Sequence, residues 1–518
     1  MKNISALLLA ALSFSAFSQT TTLILDQNNA AVSLSDNGVF FNDSESMWHG
    51  YEIPKGEGNH TAYSMSLWVS ALDGSGSLHT ACNKFTTAFD MFPGPIADDY
   101  ESDYYADNFS PAIWMVSQEQ IDYHKDNYDS PGYTADDAIA NWPGNGDPTE
   151  GVAEQLAPYV DVNDDLTYDP MDGDYPYIQG DEAVFVILND VRDIHEVTGG
   201  EQLGIEIHLM FYQFNAADDI NNTTFMNATI YNRSANDYSD LRMGVNLDFD
   251  LGYHSDDFVG SDSTRNLMYV YNGSNLDAEG YGENPPAFGA MYLNHELASA
   301  MYYNNSTGAN GDPNTAVDYN NYLHATWLNG APLLYGGDGY TAATTMTETD
   351  FMFSGNPSTG DGWSEISAGN DSGDRRMVMS KEGVSLAAGD YLCSDVAFIY
   401  SRNGETNLEN AEDLKNVADF VQDFYDSEIQ PCSNIFVGVE EKEMADFSVY
   451  PNPATNNLNV VADGTYQLQL YAMDGQLIQN LGTHNGTTTI DLNLANGIYL
   501  LELNSDLGRQ LKKIQIQR

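Results

Sequence analysis

Leu203-Gly-Ile-Glu-Ile-His-Leu-Met-Phe-Tyr-Gln-Phe214 places Ile205, Ile207 and Leu209 on one parity and Glu206 and His208 on the other. Side chains of an extended chain point alternately to two faces, so this is the pattern of a β-strand. Thr223 to Tyr231 and Met243 to Phe249 alternate or run in the same β-favouring residues, and Asn232-Arg-Ser-Ala-Asn-Asp237 breaks the chain between them. Upstream, Gly38-Val-Phe-Phe41 and Ser64-Met-Ser-Leu-Trp-Val-Ser70 have similar content, and the second stops at the turn Asp73-Gly-Ser-Gly76. These runs predict a mainly β body: many strands, a few helices and long loops, divisible into two subdomains.

Helix signals are fewer. Ser117 can cap a helix from Gln118 to about Tyr128, and Thr134 with Asp137 three residues on is a capping-box variant. That second helix must stop near Trp142, because Pro143-Gly-Asn-Gly146 cannot continue it. Leu414, Val417, Val421 and Phe424 repeat at spacings of three and four, which predicts a packing helix between Asn410 and Tyr425. Residues 272–345 are rich in Gly, Asn, Tyr and Pro without periodicity and read as long ordered loops, a usual place for binding groups.

The C-terminal end is a different unit. Leu468, Leu470 and Leu477 alternate around Gly475, and Gly497-Ile-Tyr-Leu-Leu-Glu-Leu503 is another strand. About seven short strands with closely spaced turns predict a small Ig-like β-sandwich. Charge separates it from the rest: residues 441–518 carry 8 acids and 5 bases, a net of −3, while the whole chain carries −59, so −56 lies in residues 1–440. A field of that sign repels nucleic acid and anionic membrane surfaces, which removes both as partners. It also strains the compact state unless bound cations or salt relieve the repulsion.

Three cysteines, Cys82, Cys393 and Cys432, form no C-x-x-C. Cys393–Cys432, the nearest two in sequence, are the favoured disulfide, with three free thiols as the alternative. At the N-terminus Lys2 precedes the apolar run Ile4 to Phe17, and Ala16-Phe17-Ser18 is a small-x-small site. This predicts a signal peptide over 1–18, cleaved after Ser18. No later stretch is long and apolar enough for a transmembrane segment.

The motif Tyr450-Pro451-Asn452-Pro453, then Tyr471-Ala-Met-Asp474-Gly475, then Asn496-Gly497-Ile498-Tyr499, with a basic tail from Arg509 to Arg518, resembles the type A C-terminal sorting domain of the type IX secretion system. The resemblance implies passage through the periplasm to an extracellular or outer-membrane-surface location, contact with the type IX secretion machinery, and removal of the sorting domain or its exchange for a surface anchor after export. The domain boundaries it sets are 19–437 for the body, 438–445 for a linker and 446–518 for the sorting domain. The body, through Trp142-Pro-Gly-Asn-Gly146, Asp172-Gly-Asp174-Tyr-Pro176, Asp250-Leu-Gly252, Asp256-Asp257-Phe-Val-Gly260 and Gly373-Asp374-Arg375-Arg376, is similar to a group of uncharacterised secreted proteins with the same sorting domain, which implies no activity.

Two acidic clusters could carry chemistry. In Asp161-Val-Asn163-Asp-Asp165-Leu-Thr167-Tyr-Asp169-Pro-Met-Asp172, oxygen side chains fall at loop positions 1, 3, 5 and 9, Thr167 at 7 and Asp172 at 12. Calcium takes about six to eight oxygens, and such spacing lets one tight loop supply them. Leu166 replaces the glycine of an EF-hand loop, so a dockerin-like or thrombospondin-like calcium loop is expected, with an acidic turn closed by its own Asx hydrogen bonds as the alternative. In the second cluster, Asn246, Asp248 and Asp250 share one strand face, and Asp256 or Asp257 folding back would complete a cation site with Asp248 and Asp250. A solvated strand end and catalytic carboxylates are the alternatives. Glu206 and His208 read as a structural hydrogen-bonded pair, with a general-base pair as the alternative.

Enzyme signatures are missing: His195-Glu196 and His295-Glu296 lack the second His of H-E-x-x-H, and there is no G-x-S-x-G elbow or P-loop. The expectation is therefore an exported, calcium-stabilised binding or adhesion protein, with glycans of the matrix or surface as partners. One alternative is a polysaccharide hydrolase or lyase, requiring a cleft with two carboxylates about 5–10 Å apart and one raised pKa. The other is a structural surface-layer component.

Overall fold

The structure is a computed structural model that describes residues 20–43, 48–86, 88–433, 447–455, 457–462, 464–472, 477–492, 494–495, 497–505 and 508–517. The expected signal peptide, the 438–445 linker and Gly475 lie outside the described residues. The chain divides into two compact units, Met1–Gly438 and Val439–Arg518.

The first unit is built on two large antiparallel sheets. The nine-stranded sheet has at its centre Glu182–Asn189, Ile205–Gln213, Thr224–Asn232 and Tyr391–Ser401, paired in that order. The six-stranded sheet runs Leu297–Tyr303, Arg375–Lys381, Tyr238–Phe249, Ala62–Leu72 and Leu78–Cys82, with Val384–Leu386 pairing off the path. Alternation explains the layering. Val184, Val186 and Leu188, with Ile205, Ile207, Leu209 and Phe211, join one apolar core, which also takes Leu67, Val69, Met243, Val245 and Leu247 from the six-stranded sheet. Their neighbours Ala183, Phe185, Ile187, Met210 and Tyr212 face a second core on the far side. A sheet buried on both faces must be apolar on both parities, so its strands read as near-continuous hydrophobic runs.

The second core is covered by the helix Asn407–Glu428, which contributes Ala411, Leu414, Val417, Val421 and Tyr425. Thr406 caps it, accepting from the Glu409 N–H. The order of layers is helix, nine-stranded sheet, six-stranded sheet. The Gln118–Asn127 helix forms as expected, with Ser117 and Gln120 making a capping box. The next helix is shorter than its signal suggested, Asp137–Ala140, and Asp136 caps it in place of Thr134.

Residues 272–345 are loop only in part: 304–315 and 324–345 carry no strand or helix, but the segment also holds the strands Ala287–Tyr292 and Leu297–Tyr303 and the helix Ala316–Leu323. Tyr292, Tyr303, Tyr319 and Tyr322 are buried here, so residues that read as polar serve as core. The signal that could have found the helix is Thr315 three residues before Asp318, which form a capping box. The helix sits against the outer face of the six-stranded sheet at Gly244, where a Cβ would lie 2.4 Å from the Leu323 side chain.

Cys393 and Cys432 form a disulfide, tying the Tyr391–Ser401 strand to the segment after the long helix. Cys82 is free and buried. Among the described residues no helix is long and apolar enough to cross a membrane.

The second unit is a β-sandwich. A sheet of Ser448–Tyr450, Asn457–Val461 and Thr488–Asp491 accompanies one of Leu477–Asn485, Thr465–Ala472, Gly497–Ser505 and Gly508–Ile516. Phe447, Leu458, Val460, Leu468, Leu470, Leu501, Leu503 and Ile514 fill its core.

Candidate functional site

The outer face of the six-stranded sheet carries a row of cross-strand neighbours. Asp248 on Tyr238–Phe249 is opposite Ser64 on one side and Arg376 on the other, and Arg376 is opposite Tyr303. Because the side-chain period is two, Asn246 shares this face, while Leu247 and Phe249 go to the core between the sheets. Beyond Phe249 the chain leaves the sheet, and Asp250 reaches back over the same face. The Arg375–Lys381 strand is preceded by Asp374. These residues, with Lys84, Phe85, His254 and Asp312, line an open cleft of about 390 Å³.

Three carboxylates converge in it. Asp248, Asp250 and Asp374 each offer an oxygen, and these oxygens lie within 4.8 Å of one another. One guanidinium opposes them: Arg376 Nε is 2.9 Å from Asp248 Oδ2, Nη2 is 3.6 Å from Asp374 Oδ2, and Nη1 is 4.0 Å from Asp312 Oδ1. Asp248 Oδ1, Asp374 Oδ1 and Arg376 Nη1 are buried without a hydrogen-bond partner. Asp248 is only 9% exposed. Burial pushes its carboxyl up to about 8, with Arg376 opposing and Asp250 and Asp374 adding to the rise. Asp374 is also raised, by burial first and then by Asp250, against Arg376. Loss of water and mutual repulsion therefore outweigh the single Arg, a charge imbalance that a divalent cation would relieve. Asn246 donates to Tyr303 Oη and to the Met377 carbonyl, which fixes one wall.

Asp256 and Asp257 do not join Asp248 and Asp250. After Gly252, whose φ is +70°, the chain crosses to the nine-stranded sheet and enters it as the strand Asp257–Asp262. Asp256 accepts from the Asn272 side chain, and the fully buried Asp257 accepts from the Leu251 N–H. Asp374 occupies the third position, and it was missed because it lies more than a hundred residues away along the chain.

The Asp161 loop is the connection of a two-stranded hairpin, Tyr159–Val160 with Tyr175–Pro176. Buried Asp161 accepts from the Asp165 and Leu166 N–H groups, Asn163 Oδ1 accepts from Asp165 N–H, and Asp165 accepts from Thr167 N–H. Asn163 Nδ2 donates to Asp165 and Asp172, at 3.1 and 3.4 Å, so these three side chains meet. Asp169 turns outward to cap Pro170–Asp172. Asp174, which the loop count omitted, is buried and accepts from Val162 and Asp169 N–H. Burial raises its pKa, with Asp161 and Asp165 adding to the rise. Leu166 adopts φ +65°, so the backbone makes the left-handed turn despite lacking glycine.

Glu206 and His208 are hydrogen-bonded at 3.0 Å. Glu206 also accepts from Arg233 and the Ile96 N–H, both at 2.9 Å. Burial alone would raise Glu206, but His208, Arg233 and Ile96 hold it below the usual carboxylate range. In the C-terminal unit, Asn452 donates to the Lys513 carbonyl and accepts from the Gln515 N–H. Tyr450 is exposed, Pro451 and Pro453 flank Asn452, and Tyr499 closes on the Ala495 carbonyl near Gly497.

Residues 448–517 match the secretion system C-terminal sorting domain family. This makes the protein one exported by the type IX system to the cell surface or extracellular space. No curated protein matches the chain. Among solved structures, the chain is similar to "Polysaccharide Lyase BACCELL_00875" at 6% identity and TM-score 0.20, over 60% of this chain and 34% of that one. The chain thus spans about a third of that lyase's length, and a likeness of that size carries no argument about activity.

Proposed function

We propose that the protein is an exported binding protein whose body holds a divalent cation, calcium in an extracellular setting, between Asp248, Asp250 and Asp374. The observation that supports this most is the convergence of three carboxylates on one cleft in which Asp248 Oδ1 and Asp374 Oδ1 have no hydrogen-bond partner. Calcium is a hard ion with oxygen ligands, and a site with three protein carboxylates leaves positions open toward the cleft. The Asp161 loop is proposed as a second, structural calcium site, with Asp161, Asn163, Asp165 and Asp172 as ligands. Occupancy at both sites lowers carboxylate repulsion in a chain of net charge −59. Differential scanning calorimetry of the chain from Gln19 tests this: calcium raises the unfolding temperature and a chelator reverses it. An unchanged temperature sinks the proposal.

One observation favours a second reading, a polysaccharide hydrolase or lyase. Burial pushes Asp248 up to about 8, and one of its oxygens lies within 4.8 Å of an Asp250 oxygen, an arrangement suited to general-acid chemistry. Release of reducing ends or unsaturated products from a polysaccharide panel, abolished in Asp248→Asn, would establish it. An inert wild type would remove it.

A further inference from the structure

We infer that the cavity lined by His208 and Asn227 on the nine-stranded sheet binds a neutral phenol, with its ring against Phe185 and Tyr231 and its O–H donated to His208 Nδ1. This site is separate from the Asp248–Asp250–Asp374 cleft and needs no cation. His208 lines a half-open cavity of about 80 Å³ with Asn227, Met210, Phe185, Tyr231 and Pro431. It is only 5% exposed, and its Nε2 is spent on Glu206 Oε1 at 3.0 Å. Burial works against ionisation of Glu206, but donors from His208, Arg233 and the Ile96 N–H outweigh it. A carboxylate partner fixes the proton on Nε2, so the neutral ring carries its lone pair on Nδ1. Among the described residues no group bonds Nδ1, and Nδ1 is not sealed from solvent. That nitrogen therefore opens into the cavity that the ring lines.

Asn227 adds a second acceptor. Its Nδ2 donates to Asp395 Oδ1 at 2.8 Å, and among the described residues nothing donates to its Oδ1. A cavity with two open acceptors calls for a ligand that donates. No Asp, Glu, Lys or Arg lines it, so an ammonium would lose its water without gaining an ion pair, and a carboxylate would face the His208 and Asn227 acceptors. A neutral hydroxyl meets neither objection. The remaining walls set the body of the ligand. Leu156, Pro158, Met210 and Pro431 are apolar, and the rings of Phe185 and Tyr231 lie 5.6 and 4.8 Å from the His208 ring. Aromatic rings favour offset or edge contacts with a further ring at centroid distances of about 4.5–7 Å. The volume is below the ~150 Å³ of a closed cavity that holds benzene, so with its open mouth the cavity admits a single ring and nothing larger. Two sources carry this chemistry: a free phenol, and the tyrosine side chain of another protein.

Saturation-transfer NMR tests the inference on the chain from Gln19, with p-cresol, toluene, p-toluate and the peptide Gly-Tyr-Gly as probes. The expected result is binding of p-cresol, with toluene about tenfold weaker for want of the hydrogen bond to Nδ1, and no binding of p-toluate. His208→Phe keeps a ring of similar size and should abolish the preference for p-cresol over toluene. Gln179→Trp, at a half-buried lining position, should block the cavity and remove binding of both, so the test stands even where His208→Phe fails to fold. Displacement of p-cresol by Gly-Tyr-Gly at similar concentration assigns the ligand to tyrosine side chains; binding of p-cresol without displacement assigns it to free phenols. No transfer to p-cresol, equal affinity for toluene, a preference for p-toluate, or binding that survives Gln179→Trp overturns the inference.

Discussion

Asp248 and Arg376 are direct cross-strand neighbours whose carboxylate and guanidinium meet at 2.9 Å, yet Asp248 keeps one buried oxygen unpaired. A single arginine faces Asp248, Asp374 and Asp312, so the pair is one corner of an under-compensated cluster.

Replacing the arginine exposes that imbalance. Arg376→Met should lower the stability of the calcium-free protein by about 3–5 kcal/mol, the usual loss when one partner of a buried ion pair goes. The same change should tighten calcium binding, because the carboxylates lose the guanidinium that lies beside them. Thermal unfolding in chelator and calorimetric titration read the two effects. Weaker calcium binding in the variant would mean that Arg376 holds the site together instead of competing with the ion.

The cleft also sets a pH dependence. Asp248 is pushed up to about 8 by burial, and Asp374 and Asp257 are raised for the same first reason. Between the ordinary carboxylate pKa and the raised one, the folded chain binds more protons than the unfolded chain, so stability falls as pH rises. Asp36, raised by burial to about 6, adds to the fall at the acid end. The calcium-free protein should therefore melt at a higher temperature near pH 5 than near pH 8, and saturating calcium should shrink the difference. A melting temperature that rises over this range without calcium would contradict it.

In the Asp161 loop, Leu166 is 54% exposed and sits at φ +65°, a conformation costing a non-glycine residue roughly 1 kcal/mol. Leu166→Gly should raise stability by under about 1 kcal/mol, because relief of strain is partly offset by the freer unfolded chain. Urea unfolding measures it, and a clear loss would show that the leucine side chain does more than the turn requires.

The Cys393–Cys432 disulfide closes a separation of 39 residues. Replacing both cysteines by serine should lower stability by about 2–4 kcal/mol without changing calcium affinity, since the bridge lies on the nine-stranded sheet and not on the cleft. Parallel unfolding and titration measurements check both halves.

Much of this was legible along the chain. The period-two runs around Ile205 and Val245 gave the sheets, the three-and-four spacing from Leu414 gave the long helix, and the proline–asparagine motif at Tyr450 gave the sorting domain. Half of the site was legible too: Asp248 and Asp250 stand together because alternation puts Asp248 on the outer face and Asp250 just past the strand end. Asp374 and Arg376 were not, because their place depends on which strand pairs with Tyr238–Phe249, and register between distant segments leaves no local trace. Asp256 and Asp257 misled because nearness in sequence does not survive a crossing between sheets. The strand at Leu297 was obscured by buried tyrosines, whose polar tips hide an apolar role.

One cation is expected between Asp248, Asp250 and Asp374. Isothermal titration of calcium into the chain from Gln19, into Asp374→Asn and into Asp161→Asn measures it directly. Two classes of site are expected, with Asp374→Asn removing one and Asp161→Asn the other. An isotherm for Asp374→Asn that superimposes on that of the unaltered chain would contradict it.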